Sequence, residues 1–450
     1  MSTEIYHLRA IGERRDELLE AEERQGVFAE AVDDDLRRRG GPPLPCLMTF
    51  TSGKITHSGT LYVGNKAAEG AKRVNISGVE QLITPLRSAE IVELAPDGLK
   101  AAVRDQLRRS CLIHGDAAEA VLEAIRVLDP LLAQHIERFE IERVRVGRLP
   151  RNVREALSLE KETTGTALTF AGIDRREMRG WRMPDDDGGS FLDGLEQVRM
   201  REDAMVLHDM QLVPGFEHIR RVARSAAVFQ SGDVTLTLVL ANHLALEEQL
   251  GADLLYFNET YQAFTLIQYK AMEPGDAASA VFRLPNDRLV EEIGRMRAHL
   301  DRLRGCPPNQ HCEGFRLMEN PFFLKLCPRV DFEPADTGLV KGMYLPLDYW
   351  DLIQADPRMT GPRGGRLVSF DNAGRYFDNT SFIPLVANGW IGTTAEQSTM
   401  LKPIVRQLVE EGRSLTVAVA RGGKKPTPAA AFVQRRTTQP ATQHVHIRRG

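Results

Sequence analysis

Cysteine and long apolar runs are both scarce in this sequence. Five cysteines among 450 residues are too few for the disulfide scaffold on which small secreted domains depend. No apolar run approaches the ~20 residues of a membrane-spanning helix, and the first ten residues lack the pattern of a secretory signal. The P-loop, GxGxxG, HExxH and GxSxG motifs are missing as well, so P-loop and dinucleotide-binding proteins, HExxH metallopeptidases and GxSxG serine hydrolases have no support. We therefore expect a soluble, cytoplasmic protein.

The chain is neither strongly charged nor poor in apolar residues. Its 42% hydrophobic content allows a large buried core, and its length fits two or three domains. A net charge of −4 and a pI near 6.3 give no overall attraction to nucleic acid, so DNA or RNA would have to bind a local basic surface.

Changes in pattern divide the chain into four segments. Residues 1–40 are rich in Glu and Arg, and we expect a helical segment that packs on its own domain or binds a protein partner. A separate N-terminal α+β domain of unknown role is predicted for 41–148, with a strand at 139–146. Residues 149–420 are predicted to form an α/β domain. The basic segment 421–450, which has no acidic residue, is predicted to be disordered, adding nonspecific nucleic-acid affinity or serving only as a linker.

One segment of the α/β domain has the pattern of a β-hairpin. Residues 253–257 and 263–270 are strand-like, and the polar stretch between them is short enough for a hairpin loop. Side chains alternate along a strand, so Gln268 and Lys270 would share one face. If Asp253 lies opposite Gln268, the turn is centred between Thr260 and Tyr261, a register that the loop permits but does not require.

The polar residues of this segment are of the kinds that a phosphodiester-cleaving metal site uses. Mg²⁺ takes oxygen ligands, commonly one or two carboxylates with water and substrate oxygens. Asp253 and Gln268 could supply a carboxylate and an amide oxygen. Glu248 or Glu247, in the helix predicted just before the hairpin, could supply a second carboxylate. Lys270 could orient the attacking water and stabilise charge on the phosphate.

The arrangement resembles the PD-(D/E)xK superfamily of restriction-endonuclease-like nucleases, in particular the Mrr-like variants with Gln before the lysine. The matching residues are Gly251-x-Asp253, fourteen intervening residues and Gln268-x-Lys270, without a proline before Asp253. The resemblance implies a restriction-endonuclease-like mixed sheet flanked by helices and a metal-dependent endonuclease. It implies Asp253, Gln268, Lys270 and one upstream glutamate as catalytic residues, Mg²⁺ or Mn²⁺ as cofactor, and DNA rather than RNA as the preferred substrate. Defence against foreign nucleic acid is the context that it implies.

Basic residues elsewhere could contact substrate phosphates. Arg220 and Arg221 lie in a basic stretch before the hairpin, and Arg295 lies on the polar side of a helix predicted for 286–303. Solvated basic faces without a ligand explain the same spacing.

The cysteines invite a zinc hypothesis. Cys306, Cys312 and Cys327 lie near His311, but no CxxC pair is present. We favour a core position for Cys327 and loop positions for the other two.

A protein without catalysis is the alternative function. Gln268 carries no charge and could be a solvated strand residue, and a fold does not fix a function. Such a protein would be a degenerate nuclease fold that binds nucleic acid or a protein partner.

Overall fold

The computed structural model of the protein describes most of the chain, and its described residues form two β-sheets with helices packed on them. The described residues are 4–25, 27–33, 43–68, 71–178, 181–184, 189–195, 223–241, 252–275, 280–307, 309, 311–318, 320–329, 332, 334, 337–361, 364–401 and 416–422.

The first sheet has six described strands. They are β1 (Ile5–Arg9), β2 (Val27–Asp33), β3 (Leu44–Thr49), β4 (Lys54–Ala68), β5 (Ala71–Arg87) and β6 (Cys111–Ile113). Their order in the sheet is β2-β5-β4-β3-β1-β6. The β1–β3 pair is parallel, and the other neighbours are antiparallel.

Helices cover this sheet on both faces. They are α1 (Glu13–Gln25), α2 (Ser88–Leu94), α3 (Lys100–Gln106), α4 (Asp116–Leu128) and α5 (Pro130–Arg148). Ile91 of α2 and Val121 of α4 share a core with Ile5. Leu18 of α1 belongs to the core on the other face, with Tyr6.

The prediction of one helical segment over residues 1–40 holds for α1 and is wrong for Ile5–Arg9 and Val27–Asp33. β1 and β2 are strands of the same sheet as β3 to β6, and β1 lies between β3 and β6. Ile5 and Tyr6 are both buried, on opposite faces of the sheet. Residues of a central strand are covered on both faces, so the pattern of β1 has no polar side that would identify a strand.

The predicted strand at 139–146 is also wrong, because α5 continues to Arg148. The Asp129 side chain caps this helix by accepting a hydrogen bond from Leu132 N–H at 3.1 Å. Pro130 occupies its first turn, where the missing N–H costs nothing. The buried side chains of Ile136 and Val146 hold the later turns.

The second sheet has nine described strands. They are β7 (Ala223–Ser231), β8 (Val234–Ala241), β9 (Leu254–Asn258), β10 (Ala263–Pro274), β11 (Ala280–Leu284), β12 (Phe322–Pro328), β13 (Met343–Pro346), β14 (Arg366–Ser369) and β15 (Thr416–Arg421). Seven of them follow the order β13-β12-β10-β9-β15-β8-β7, and β11 joins the end of β10 to β14. β10 is parallel to β12 and β9 is parallel to β15, whereas the remaining pairs are antiparallel.

Helices cover both faces of the second sheet as well. They are α6 (Arg151–Phe170), α7 (Asp287–Arg304), α8 (Leu347–Ala355) and α9 (Asn379–Ala387). We call the face packed against α7 and α8 the front face, where Leu266 of β10 meets Ile293 of α7 in one core. The rear face packs against α6 and α9, where Ile267 of β10 shares a core with Leu168 of α6.

The protein is thus of the α/β class, with mixed sheets flanked by helices, as predicted. None of the helices in the described residues combines the length and the apolar character that a membrane crossing requires.

Candidate active site

The β9–β10 hairpin has the register on which the site hypothesis depends. Leu254 pairs with Ile267, and Asp253 N–H donates to Ile267 O at 2.9 Å. One step further along the strands, Asp253 lies opposite Gln268. The strand pairing therefore brings together two residues that are separated in sequence by the whole hairpin.

Asp253 lies on the front face, because Leu255, two residues further on, belongs to the front-face core. One of its carboxylate oxygens accepts a hydrogen bond from Tyr269 N–H at 2.8 Å. Burial raises the pKa of the Asp253 carboxyl to about 6, against the opposing effects of the Tyr269 hydrogen bond and the charge of Lys270, while Glu292 adds to the rise. The carboxyl is mostly ionised at neutral pH and takes up a proton at mildly acidic pH.

Lys270 pairs with a carboxylate from outside the predicted motif. Its Nζ lies 2.9 Å from Oε1 of Glu292 and 2.6 Å from Oε2. The two side chains are only 13% and 7% exposed, so water screens their attraction less than at the surface. Glu292 belongs to α7, and the front face therefore carries Asp253, Lys270 and Glu292 together.

The position of Glu292 in the sequence does contain a signal. Leu289, Ile293 and Met296 are buried on the side of α7 that meets the sheet. Glu292 follows Leu289 by three residues and precedes Met296 by four, which puts it on the same side of the helix. A carboxylate within an apolar stripe requires a partner of opposite charge. Helix spacing does not identify Lys270 as that partner, because the lysine comes from another element.

Gln268 is 5% exposed, so the interpretation of this side chain as a solvated strand residue is wrong. It lies on the front face, as Lys270 does, because the two are separated by one residue of β10. Its Nε2 donates to Tyr269 O over a long 3.4 Å. The amide is thus buried beside the charged residues.

Arginines of α7 lie on either side of Glu292. Arg288 Nε is 3.5 Å from Glu292 Oε1, and the Arg288 side chain is 62% exposed. Arg295, a predicted phosphate contact, lies about one turn beyond Glu292 on the same side of the helix and is partly buried. Arg288 is the more exposed of these two arginines, and it is not among the predicted phosphate contacts.

Several predicted site residues lie outside the described residues. These are Glu247, Glu248, Arg220 and Arg221. Their relation to Asp253 stays a prediction.

The three cysteines of the zinc hypothesis lie in different settings. Cys306 Sγ is 4.0 Å from Met400 Sδ, and Cys312 is exposed. Cys327 is a half-buried residue of β12 whose Sγ lies 3.8 Å from Lys270 O. Burial raises the pKa of the Cys327 thiol to about 12, so this cysteine is not a reactive thiolate at neutral pH.

The donor atoms of the front face fit Mg²⁺ in kind. Asp253 and Glu292 offer carboxylate oxygens and Gln268 an amide oxygen, and protein Mg²⁺ sites commonly use one or two carboxylates. Tyr269 N–H occupies one oxygen of Asp253, and Lys270 faces both oxygens of Glu292. Across the described ranges no group of three His, Cys, Asp or Glu side chains could hold a metal ion. Water, substrate oxygens or further residues would have to complete the coordination of a cation.

The rear face carries a second buried ion pair, which no sequence motif indicated. Lys325 of β12 is fully buried and donates to Glu162 Oε1 of α6. Burial is the largest single effect and would lower the pKa of Lys325, but the charges of Glu162, Tyr344 and Cys327 and the hydrogen bond to Glu162 together outweigh it, and the pKa is raised. The other oxygen of Glu162 accepts from Val340 N–H at 3.0 Å. Lys325 Nζ also lies 4.8 Å from the centre of the Tyr344 ring.

Comparison of the chain with protein-family models, with curated proteins and with solved structures finds no significant match.

Proposed function

We propose that the protein is a metal-dependent endonuclease that hydrolyses phosphodiester bonds of DNA, with RNA as the second choice of substrate. The observation that carries this proposal is the proximity of Asp253, Lys270 and Glu292 on the front face, beside the end of β9 that is remote from the hairpin turn. Lys270 comes from β10 and Glu292 from α7, and Asp253 directly precedes β9. Their order along the chain is that of the resemblance for Asp253 and Lys270, and Glu292 is an addition.

Each side chain has a defined task in such a reaction. Asp253 and Glu292, with the Gln268 amide oxygen, would hold a divalent cation, either Mg²⁺ or Mn²⁺. A cation bound there makes a nucleophile of water and neutralises charge on the phosphate. Lys270 would donate hydrogen bonds to the phosphate oxygen on which negative charge increases. Its buried position keeps the ammonium in a medium where that interaction is strong.

Arg288 would bind the neighbouring phosphate of the substrate backbone. Its side chain is exposed and lies one helical turn before Glu292, so a nucleic-acid strand bound at the site would have this guanidinium beside it. Contacts of this kind position a nucleic acid without reading its sequence. Arg295, Arg220 and Arg221 are the further candidates for phosphate contacts.

The finer fold assignment belongs to this proposal. We infer that the second sheet with its helices is restriction-endonuclease-like, and that the first sheet is a separate N-terminal α+β domain that could receive a protein partner. The mixed sheet and the helices on both of its faces support the inference. The resemblance extends the proposal to a cytoplasmic protein of defence against foreign nucleic acid.

Cleavage of supercoiled plasmid, single-stranded DNA and RNA with Mg²⁺ or Mn²⁺ tests the function. We expect Lys270→Met, Glu292→Gln and Asp253→Asn each to lower the rate by about 100-fold or more, as for loss of one charge-stabilising group. Asp253→Asn removes the charge but leaves an oxygen for Tyr269 N–H. Lys341→Met and Glu291→Gln, at exposed positions, serve as matched controls. Cutting that survives the first three changes would exclude this site.

One observation favours the degenerate, noncatalytic scaffold as the second candidate. Lys270 engages both oxygens of Glu292, and Gln268 adds no charge, so the described residues leave few ligands for a cation. Binding of nucleic acid that is independent of metal, without cleavage of any of the three substrates, would favour the scaffold over the nuclease.

A further inference from the structure

Tyr269 connects the two faces of the second sheet. It lies in β10 between Gln268 and Lys270, so its ring is on the rear face while those two side chains are on the front face. Its hydroxyl donates to Thr166 Oγ1 of α6 at 3.1 Å. Its backbone N–H donates to the Asp253 carboxylate at 2.8 Å. One residue thus contacts a rear-face helix and a front-face carboxylate.

The hydrogen bond to Asp253 fills a gap in the strand ladder. The pairing of β9 with β10 ends at Leu254 and Ile267, and Asp253 N–H still donates to Ile267 O. The next N–H on that edge of β10 belongs to Tyr269, beyond the end of the paired strand. A buried N–H without an acceptor is costly, and the side chain of Asp253 replaces the backbone acceptor. The position of this carboxylate therefore depends on the position of the Tyr269 peptide.

The Tyr269 ring is held from the rear by α6 through two routes. Thr166 accepts from its hydroxyl directly. Lys325, which pairs with Tyr269 across β10 and β12, lies with Nζ 5.4 Å from the ring centre, within the range of a cation–π contact. Lys325 is in turn bound by Glu162 of α6. Both sets of contacts end on α6, at Glu162 and Thr166, which lie one helical turn apart.

We propose that Tyr269 is a positioning residue. It couples the position of α6 on the rear face to the position of the Asp253 carboxylate on the front face. An apolar core residue would fill the same volume, but the hydroxyl makes a specific bond to Thr166 that fixes where the strand lies. The coupling stands on these contacts alone. Its consequence for cleavage rests on the proposed nuclease function.

Amide hydrogen exchange of Tyr269 tests the coupling directly. Thr166→Val removes the hydroxyl acceptor and leaves Tyr269 in place. Thr164→Val is the matched control, since Thr164 is a buried threonine of the same helix whose hydroxyl donates to Glu160 O within the helix at 2.7 Å. Selective ¹⁵N labelling limits the spectrum to the eight tyrosines. We expect exchange at Tyr269 to be about five- to tenfold faster in Thr166→Val than in Thr164→Val, the factor for loss of one buried hydrogen bond.

Equal exchange in the two threonine variants would overturn the inference. If Thr166→Val fails to fold, Tyr269→Phe replaces it, with exchange of the β10 peptide followed by mass spectrometry and Tyr256→Phe, a buried rear-face tyrosine of β9, as its control. In the full-length enzyme we expect Thr166→Val to lower kcat with KM unchanged, relative to Thr164→Val. Faster exchange in a protein that cleaves nothing would leave the coupling in place and reject the nuclease. Cleavage by the wild type, together with equal exchange in the two threonine variants, would support the nuclease and reject the coupling.

Discussion

Opposing effects determine the pKa of the Asp253 carboxyl. Burial favours its neutral form, whereas the hydrogen bond from Tyr269 N–H and the ammonium of Lys270 favour its ionised form. The balance leaves the pKa of this carboxyl at about 6, well above that of an aspartate in water. A proton therefore competes for the same oxygens that would bind a cation, at a pH only slightly below neutral.

This competition predicts that Mg²⁺ affinity depends on pH. A cation binds the ionised carboxylate, so affinity should be nearly constant above about pH 7 and fall toward tenfold per unit below about pH 6. Titration calorimetry with MgCl₂ between pH 5 and 8 measures it. In Asp253→Asn we expect weak binding without this decline. An affinity that does not change over the range would contradict the assignment of Asp253 as a ligand.

At this scale the sequence predicts some site residues and misses others for a physical reason. Gln268 and Lys270 are close in the chain, and strand alternation alone puts them on one face. Asp253 is within reach because a hairpin pairs neighbouring segments. Glu292 contacts Lys270 only because α7 packs on the front face, and no local rule determines where a helix docks. The position of Glu292 within an apolar stripe predicts a partner of opposite charge but does not identify that partner.

Among the elements, α6 supplies one partner of a buried ion pair. Glu162 and Lys325 form an ion pair with side chains 7% and 0% exposed. Bringing both charges out of water costs energy that their attraction must offset. Removing one partner leaves a buried charge alone, which is worse than removing both.

We therefore predict that Glu162→Gln destabilises the protein by about 3–5 kcal/mol. The double variant Glu162→Gln/Lys325→Met should lose less than the sum of the single changes. Glu155→Gln, at an exposed ion pair of the same helix, should change the free energy of unfolding by about 1 kcal/mol or less. Urea unfolding curves of these three variants and of the single variant Lys325→Met measure the differences. Equal changes in the free energy of unfolding for Glu162→Gln and Glu155→Gln would show that the buried ion pair is no more important for stability than the exposed one.

Helix α5 shows why element type cannot always be predicted from local preference. Phe139, Ile141 and Val146 favour strands by residue type, and the sequence therefore predicts a strand there. The helix is stabilised instead by the cap at Asp129 and by the burial of Ile136 and Val146. The β9–β10 hairpin is the opposite case, since its strands and turn are all within one short segment and local preference agrees with the final pairing.

For the whole molecule, the two sheets have separate hydrophobic cores. Buried residues that pack on the first sheet come from 5–136, and those of the second sheet from 146–420. α5 begins in the first set with Leu132 and ends in the second with Val146. The predicted boundary at residue 148 falls at the end of this shared helix.

We predict that residues 1–148 fold without the rest of the chain. A fragment with its own core should unfold cooperatively. Circular dichroism of the fragment against temperature measures this, with the full-length protein as the reference. A gradual loss of signal, without a transition, would mean that the two sheets depend on each other.

Strand β15 has a consequence for how the protein is made. It lies between β8 and β9 and pairs with both, yet it follows them in the chain by the whole of α7, α8 and α9. A ribosome releases β8 and β9 long before the strand that joins them, and during that interval both present open edges to other chains. The first sheet is complete once Ile113 has emerged. The strands of the first sheet can therefore pair early in synthesis, whereas the β9–β10 hairpin gains its β15 neighbour only near the end.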